Sequence, residues 1–158
     1  MFVFDKCLPS HAPISQQNKD LFDSLPWAHL EDQCGGQGPL DGIATALNHA
    51  QSGIAFILAV DLFMVTKDDF DALYLAISQG EADLVNAYST DDTHIEINQP
   101  LCSAWRVSST LDIVNRSVAA GERKVSDVVK GLRTTRVLVP FSHLANFNSP
   151  EDFSRLKS

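Results

Sequence analysis

The run Ile54-Ala-Phe-Ile-Leu-Ala-Val60 is continuously apolar and is followed directly by Asp61. An apolar run without polar alternation is typical of a strand that is buried on both faces of a parallel sheet. Polar and apolar residues then recur at helical spacing from Lys67 to Gln79, which predicts a helix after this strand. A buried strand followed by a helix is the unit from which α/β domains are built.

The same alternation extends to both sides of this unit. Further strands are predicted at 2–4, 27–32, 82–87, 100–105 and 135–139, and further helices at 15–25, from about Pro39, at 109–120 and at 125–132. The polar stretch 89–98 predicts a loop or a hairpin. Strands joined through helices favour right-handed crossovers, so we expect a three-layer, Rossmann-like α/β fold with a mostly parallel sheet. The length predicts a single domain over residues 1–158.

Composition excludes several classes of protein. A net charge of −8 argues against a nucleic-acid surface, which needs excess Lys and Arg. No apolar run approaches the roughly 20 residues that cross a bilayer, and the N-terminus has no basic leader before an apolar stretch. The 3 cysteines form no close pair, which favours reduced thiols and predicts a cytoplasmic protein.

Two features are expected at the carboxyl edge of the sheet, where ligands of such folds collect. Asp61 at a strand end is suited to hold a hard cation that bridges phosphates, although it could also cap the next loop. The glycine-rich stretch 35–42 follows Asp32 and leads into a helix whose free N–H groups favour anions. The alternative is that these glycines only permit a tight turn.

Other polar clusters carry weaker signals. Asp91, Asp92, His94 and Glu96 have the composition of metal ligands, but a solvated loop is the favoured interpretation. The stretch 121–125 could present Arg123 and Lys124 to an anion or could be a charged turn between helices.

Five short motifs in order resemble the MobA-like nucleotidyltransferases, the molybdenum cofactor guanylyltransferases. Gly38-Pro-Leu-Asp-Gly42 is similar to the family's G-P-L-x-G, Ala59-Val-Asp-Leu-Phe63 to its strand-end C/V-D-x-P, and Gln99-Pro-Leu-Cys-Ser-Ala-Trp-Arg106 to H-P-L-x-A-L-Y/W-R. Ala119-Ala-Gly-Glu-Arg-Lys-Val125 resembles A-G-E-R-R-V, and the stretch 144–152 resembles F-x-N-x-N-T-P-E-D.

The resemblance implies transfer of GMP from Mg-GTP to molybdopterin with release of pyrophosphate. By motif, Asp61 would be the catalytic Mg²⁺ ligand. Nucleotide or cofactor contacts would come from Asp32, Gly38, Pro39, Leu40, Gly42 and Arg106, and Asn146 and Asn148 would line the pterin side. Arg123 and Lys124 are further candidates for contact with anionic groups.

The chain also departs from the family pattern. The family's first strand and its phosphate loop L-A-G-G-x-S-x-R-M-G-x-D-K have no counterpart before Met1-Phe-Val-Phe4, which resembles the second strand. Gln99 and Phe63 replace a usual His and Pro. Either the native protein begins upstream, or strand donation from another chain, a homo-oligomer or a rearrangement of the remaining strands closes the gap in the sheet. Two alternatives to the implied enzyme are a non-catalytic descendant that binds molybdopterin, a nucleotide or a protein, and a transferase for sugar or cytidine nucleotides.

Overall fold

The computed structural model describes residues 2–5, 8–11, 38–50, 53–59 and 61–145. Its elements, in chain order, are β1 (Phe2–Asp5), β2 (Leu8–His11), α1 (Pro39–His49), β3 (Ile54–Leu58), α2 (Lys67–Gln79), β4 (Leu84–Thr90), β5 (Glu96–Arg106), α3 (Val107–Ala119), α4 (Val125–Val129), β6 (Thr134–Leu138) and a 3₁₀ helix (Phe141–Leu144). The helix predicted at 15–25 and the strand predicted at 27–32 lie outside the described residues. None of the described helices combines the length and the apolar character that a membrane crossing requires.

The strands form one sheet in the order β2-β1-β3-β5-β4-β6. The α/β class is confirmed, but the sheet is mixed: β4 and β6 are parallel, and the other four described pairs are antiparallel. For the two pairs that contain β5, the reason is that β5 follows β4 after only residues 91–95 and so returns beside it as a hairpin. Because β5 lies between β3 and β4, it makes both neighbouring pairs antiparallel, while β3, β4 and β6 still run in one direction.

β3 is paired on both sides in this sheet. β5 flanks it on one side, with Leu58 opposite Cys102, and β1 flanks it on the other, with Phe2 opposite Leu58. β1 is thus the strand beside β3, running antiparallel to it. Both edges of β3 are therefore paired within the described residues.

Two apolar layers cover the two faces of the sheet. Alternate residues of β3 point to opposite faces, so Ala55 and Ile57 pack with α1, α3 and α4, while Phe56 and Leu58 pack with α2. The first layer contains Trp105, which is fully buried, and the second contains Leu62 from the turn after β3. The chain therefore passes from α1 on one face of the sheet, through β3, to α2 on the other face. Residue 61 lies between β3 and α2, at the end of the strand.

Candidate functional site

Asp61 lies in the turn that follows β3, at the edge where β3, β4 and β6 end, which we call the carboxyl edge. Leu62 anchors this turn, because its side chain is 3% exposed and its N–H donates to the Ala59 carbonyl at 3.3 Å. Asp61 itself is half-buried, and Phe63 beyond it is exposed. Among the residues that the structure describes, none forms an ion pair with Asp61. A half-buried carboxylate without a described ion-pair partner therefore lies at this edge.

Helix α1 begins at the same edge. It precedes β3 by a short connection and runs antiparallel to it, and Leu40 in its first turn packs in the layer that contains Ile57. Gly38 is the N-cap residue with φ 152°, Pro39 follows at N1, and no side chain caps the helix. Leu40 and Gly42 are buried, so they fix the packing of the first turn, while Pro39 is exposed. This turn lies at the carboxyl edge, where the Asp41 N–H donates to the Gly38 carbonyl at 3.2 Å, and an anion contact with its other N–H groups stays a prediction.

The loop before α4 packs against the start of α1. A Cβ on Gly38 would lie 3.5 Å from the Arg123 carbonyl oxygen, and Arg123 Nη1 lies 3.9 Å from Oδ1 of the fully buried Asp41. The same Nη1 donates to the Glu122 carbonyl at 3.0 Å. The structure thus brings two of the five motifs into contact. Lys124 is exposed.

A large bulge in β5 brings a third motif to the carboxyl edge. Asn86 is opposite Ser103 but Ala87 is opposite Gln99, so the intervening residues of β5 have no partner in β4. Within the bulge, Ser103 Oγ donates to the Pro100 carbonyl at 2.8 Å and accepts from Trp105 Nε1 at 2.8 Å. Bulges of this kind redirect side chains and are frequent beside active sites.

Arg106 lies at the opposite edge of the sheet, because antiparallel pairing sets it opposite Ile54 at the start of β3. Its guanidinium donates to the backbone carbonyls of Ile77, Gly80 and Ala82. These bonds attach the C-terminal end of α2 to β5 of the sheet. The structure does not bring Arg106 together with Asp61, and a ligand contact for it stays a prediction. The predicted contacts Asp32, Asn146 and Asn148 lie outside the described residues.

The acidic hairpin loop is held by its own hydrogen bonds. One carboxylate oxygen of Asp91 accepts from the N–H of Thr93 and of Ile95, both at 2.9 Å, and from the Thr93 hydroxyl at 2.7 Å. The bond from that hydroxyl is the main reason why the pKa of Asp91 is lowered. In the described part of the chain, no three His, Cys, Asp or Glu side chains are grouped as metal ligands. The loop interpretation therefore accounts for this acid.

The structure also shows a polar cluster that the sequence did not indicate. His143 Nδ1 lies 2.8 Å from Asp69 Oδ2, and Asp69 lies in the first turn of α2. Burial, together with the charge of Asp69, raises the pKa of Cys102 to about 12, so this thiol is neutral. The only local sequence signal for this polar cluster is the spacing of Thr66 and Asp69, which is typical of a capping box.

A hollow of about 410 Å³ lies at the carboxyl edge between the ends of β4 and β6. Ser89 and Thr90 line one side of the hollow. The other side is lined by residues 138–141, of which Leu138 and Phe141 are exposed. The 3₁₀ helix that includes Phe141 ends at Leu144, just before residues 145 and 146. The predicted pterin segment follows this 3₁₀ helix in the sequence.

Comparison with known proteins identifies relatives of the chain. Residues 5–136 match the family model of the MobA-like NTP transferase domain. A Flavobacterium johnsoniae protein named "probable molybdenum cofactor guanylyltransferase" is 27% identical over 152 residues, which covers 91% of this chain and 76% of the relative. A Rhodopirellula baltica protein of the same name is 31% identical over 135 residues, covering 84% of this chain and 58% of the relative.

Solved structures share the fold at low sequence identity. Molybdopterin-guanine dinucleotide biosynthesis protein A from Archaeoglobus fulgidus has a TM-score of 0.69 and 21% identity, and the match covers 92% of this chain and 74% of that one. The 4-diphosphocytidyl-2C-methyl-D-erythritol synthase from Anaerococcus prevotii has a TM-score of 0.74 and 10% identity, with coverage of 94% and 81%. Because the two proteins are named for different nucleotides, this likeness supports the fold and does not select the base.

Proposed function

Since this chain belongs to the MobA-like NTP transferase family, we propose that it transfers GMP from Mg-GTP to molybdopterin. An oxygen of the molybdopterin terminal phosphate forms a bond to the α-phosphorus of GTP. The bond from that phosphorus to the bridging oxygen breaks, and its electron pair leaves with pyrophosphate. Such a transfer is accelerated mainly by alignment and by stabilisation of phosphate charge. The relatives named as guanylyltransferases support GTP as the donor.

One observation carries this proposal: the Asp61 turn and the uncapped start of α1 share the carboxyl edge, although they approach it from opposite faces of the sheet. An anion between them would meet helix N–H groups from one side and an acid from the other. An acid beside a phosphate requires a cation in between. The two features together are therefore suited to a triphosphate bound with a divalent ion.

The residues present fit Mg²⁺. This ion is commonly held by one or two carboxylates together with substrate phosphates and water, and Asp61 offers one half-buried carboxylate that no described cation neutralises. When bound, the ion would neutralise charge on the triphosphate. Gly38 supplies the backbone conformation, with φ 152°, that leads into α1, and Pro39 fixes the first turn. Leu40 and Gly42 act indirectly, since their burial fixes the position of that turn.

The pterin side of the site is proposed at the hollow between β4 and β6. Its exposed Leu138 and Phe141 offer apolar surface to a planar ring, and Ser89 and Thr90 offer hydrogen-bonding groups. Asn146 and Asn148, which follow the 3₁₀ helix in the sequence, would add amide contacts. Asp32 would face the nucleotide, as the motif implies.

The test is pyrophosphate release from Mg-GTP and molybdopterin, measured for this chain alone and for the chain joined to an upstream L-A-G-G-x-S-x-R-M-G segment. We expect Asp61→Asn to lower kcat/KM by about 100-fold or more, as loss of one charge-stabilising group does elsewhere. Asp92→Asn, which alters an exposed acid of the hairpin loop, is the matched control and should retain wild-type kcat/KM. Full activity in a folded Asp61→Asn variant would reject the metal role.

Calorimetry separates this proposal from the non-catalytic alternative. We expect Mg-GTP to bind in a magnesium-dependent manner and CTP and ATP to bind more weakly. Binding of molybdopterin without turnover, in the extended chain as well as in this one, would favour the non-catalytic alternative. Stronger binding of CTP would favour a cytidine nucleotide transferase.

A further inference from the structure

Asp69 and His143 join two segments that are 74 positions apart in the chain. The distance from His143 Nδ1 to Asp69 Oδ2 is 2.8 Å, and because a carboxylate only accepts, Nδ1 carries the hydrogen. Asp69 is 5% exposed, and the His143 side chain is 23% exposed. A charge-assisted hydrogen bond that is largely removed from water is stronger than one on the surface.

Asp69 is fixed to the end of the turn that carries Asp61. Its Oδ2 accepts from the Thr66 N–H at 2.7 Å and from the Thr66 hydroxyl at 2.8 Å, and the Asp69 N–H donates to that hydroxyl at 3.4 Å. This capping box starts α2 at Lys67. The segment 61–66 is therefore held at one end by β3 and at the other by Asp69.

His143 belongs to the 3₁₀ helix that follows β6. Its N–H donates to the Pro140 carbonyl at 3.0 Å, and the next residue, Leu144, is 5% exposed. Leu144 packs in the same apolar cluster as Leu62, the neighbour of Asp61. The two segments thus share an apolar cluster and are joined by one hydrogen bond whose direction is specific.

We propose that the Asp69–His143 hydrogen bond positions the Asp61 turn relative to the point where the C-terminal segment with Asn146 and Asn148 begins. This rests on the proposed function, in which Asp61 serves the nucleotide side and the two asparagines serve the pterin side. In-line transfer requires both substrates in one geometry, and a misplacement of about 1 Å can cost about 100-fold in rate. Asp69 and His143 are positioning residues, which act on the substrates through the segments that they connect.

Hydrogen exchange tests the connection without substrates. His143→Leu removes the Nδ1 donor, whereas His143→Asn replaces it with an amide donor at a similar distance from the backbone. We expect His143→Leu to accelerate exchange about tenfold in both 61–66 and 141–145, because one charge-assisted bond is lost. His143→Asn should stay close to wild type, as should Ser142→Ala, which alters an exposed neighbour in the same helix. Acceleration confined to 141–145, or none, would overturn the proposal.

Kinetics then test the consequence for the reaction. These experiments use a protein that releases pyrophosphate. We expect His143→Leu to raise the KM for molybdopterin and to lower kcat, with a smaller change in the KM for Mg-GTP. In His143→Asn, the KM for molybdopterin and kcat should stay close to the wild-type values. Unchanged kcat and KM in His143→Leu, despite faster exchange, would overturn the positioning role and leave the proposed function intact. If the wild-type protein has no turnover, the proposed function fails, and the exchange result still decides whether the two segments are coupled.

Discussion

Arg133 holds Asp83 in a bidentate pair: Nε donates to Asp83 Oδ2 at 3.0 Å, and Nη2 donates to Oδ1 at 2.9 Å. The Arg133 backbone N–H adds a third bond to Oδ2 at 3.1 Å. Asp83 precedes β4 and Arg133 precedes β6, so the pair fixes the start of the parallel ladder. The hydrogen bonds from Arg133 hold the pKa of Asp83 well below its usual range, against the opposing effect of burial.

Asp83→Asn should therefore destabilise the protein in a pH-dependent manner. Because the pKa is lower in the folded than in the unfolded state, where it is about 3.9, the carboxylate stabilises the fold fully above about pH 5. That contribution is lost as the pH falls toward the folded pKa. We expect Asp83→Asn to lower the free energy of unfolding by roughly 1–2 kcal/mol at pH 7. This difference from the wild type should shrink below about pH 4. Urea unfolding at pH 7, 5 and 3 measures it, with the exposed Asp112→Asn as control. A difference that is constant to pH 3 would contradict this assignment.

Arg106→Met should impair stability and spare substrate binding. The variant keeps the apolar stem but loses the bonds to the carbonyls of Ile77, Gly80 and Ala82. We expect the free energy of unfolding to fall by about 1–3 kcal/mol, which lowers Tm by several degrees. Thermal unfolding and the KM for Mg-GTP are the measurements. An unchanged Tm with a raised KM would instead support the ligand contact that the motif implies.

The sequence predicted those helices and strands whose formation depends on residues close together in the chain. The apolar run before Asp61 became β3, and the amphipathic stretch from Lys67 to Gln79 is α2, because its cap and its apolar face act within a few turns. The direction of β5 was not predictable in this way. The stretch 89–98 is compatible with a loop or with a hairpin, and the pairing of β5 with β4 and with the distant β3 makes these two ladders antiparallel.

The same limit applies to the site. Asp61 and Gly38 were expected at one edge because each lies at the end of an element whose direction the sequence indicates, and the structure has both there. Arg106 ends β5, whose reversed direction carries it to the opposite edge. The Asp69–His143 bond had no signal, since neither residue type nor spacing marks a contact over 74 positions.

Ser103→Ala should destabilise the bulge in β5. Ser103 is fully buried, and its hydroxyl connects Trp105 Nε1 to the Pro100 carbonyl. Its removal leaves a buried indole N–H and a carbonyl without this partner, which costs about 1–3 kcal/mol. Denaturant unfolding measures the loss, and the exposed Ser126→Ala in α4 is the matched control. Equal stability of the two variants would show that the bulge does not depend on this connection.

Gly38→Ala should be costly because of the backbone. Gly38 has φ 152° and ψ 177°, a region that residues with a side chain rarely adopt, although a Cβ there would be only in ordinary contact with the Arg123 carbonyl at 3.5 Å. We expect a loss of about 1–3 kcal/mol in the free energy of unfolding, or a shift of the first turn of α1. Gly53→Ala is the control, since a Cβ at Gly53 would meet nothing within 4 Å. Circular dichroism melts compare the two, and calorimetry with Mg-GTP tests whether the folded Gly38→Ala variant binds more weakly. Wild-type stability and affinity in Gly38→Ala would show that neither the start of α1 nor the proposed phosphate contact requires glycine there.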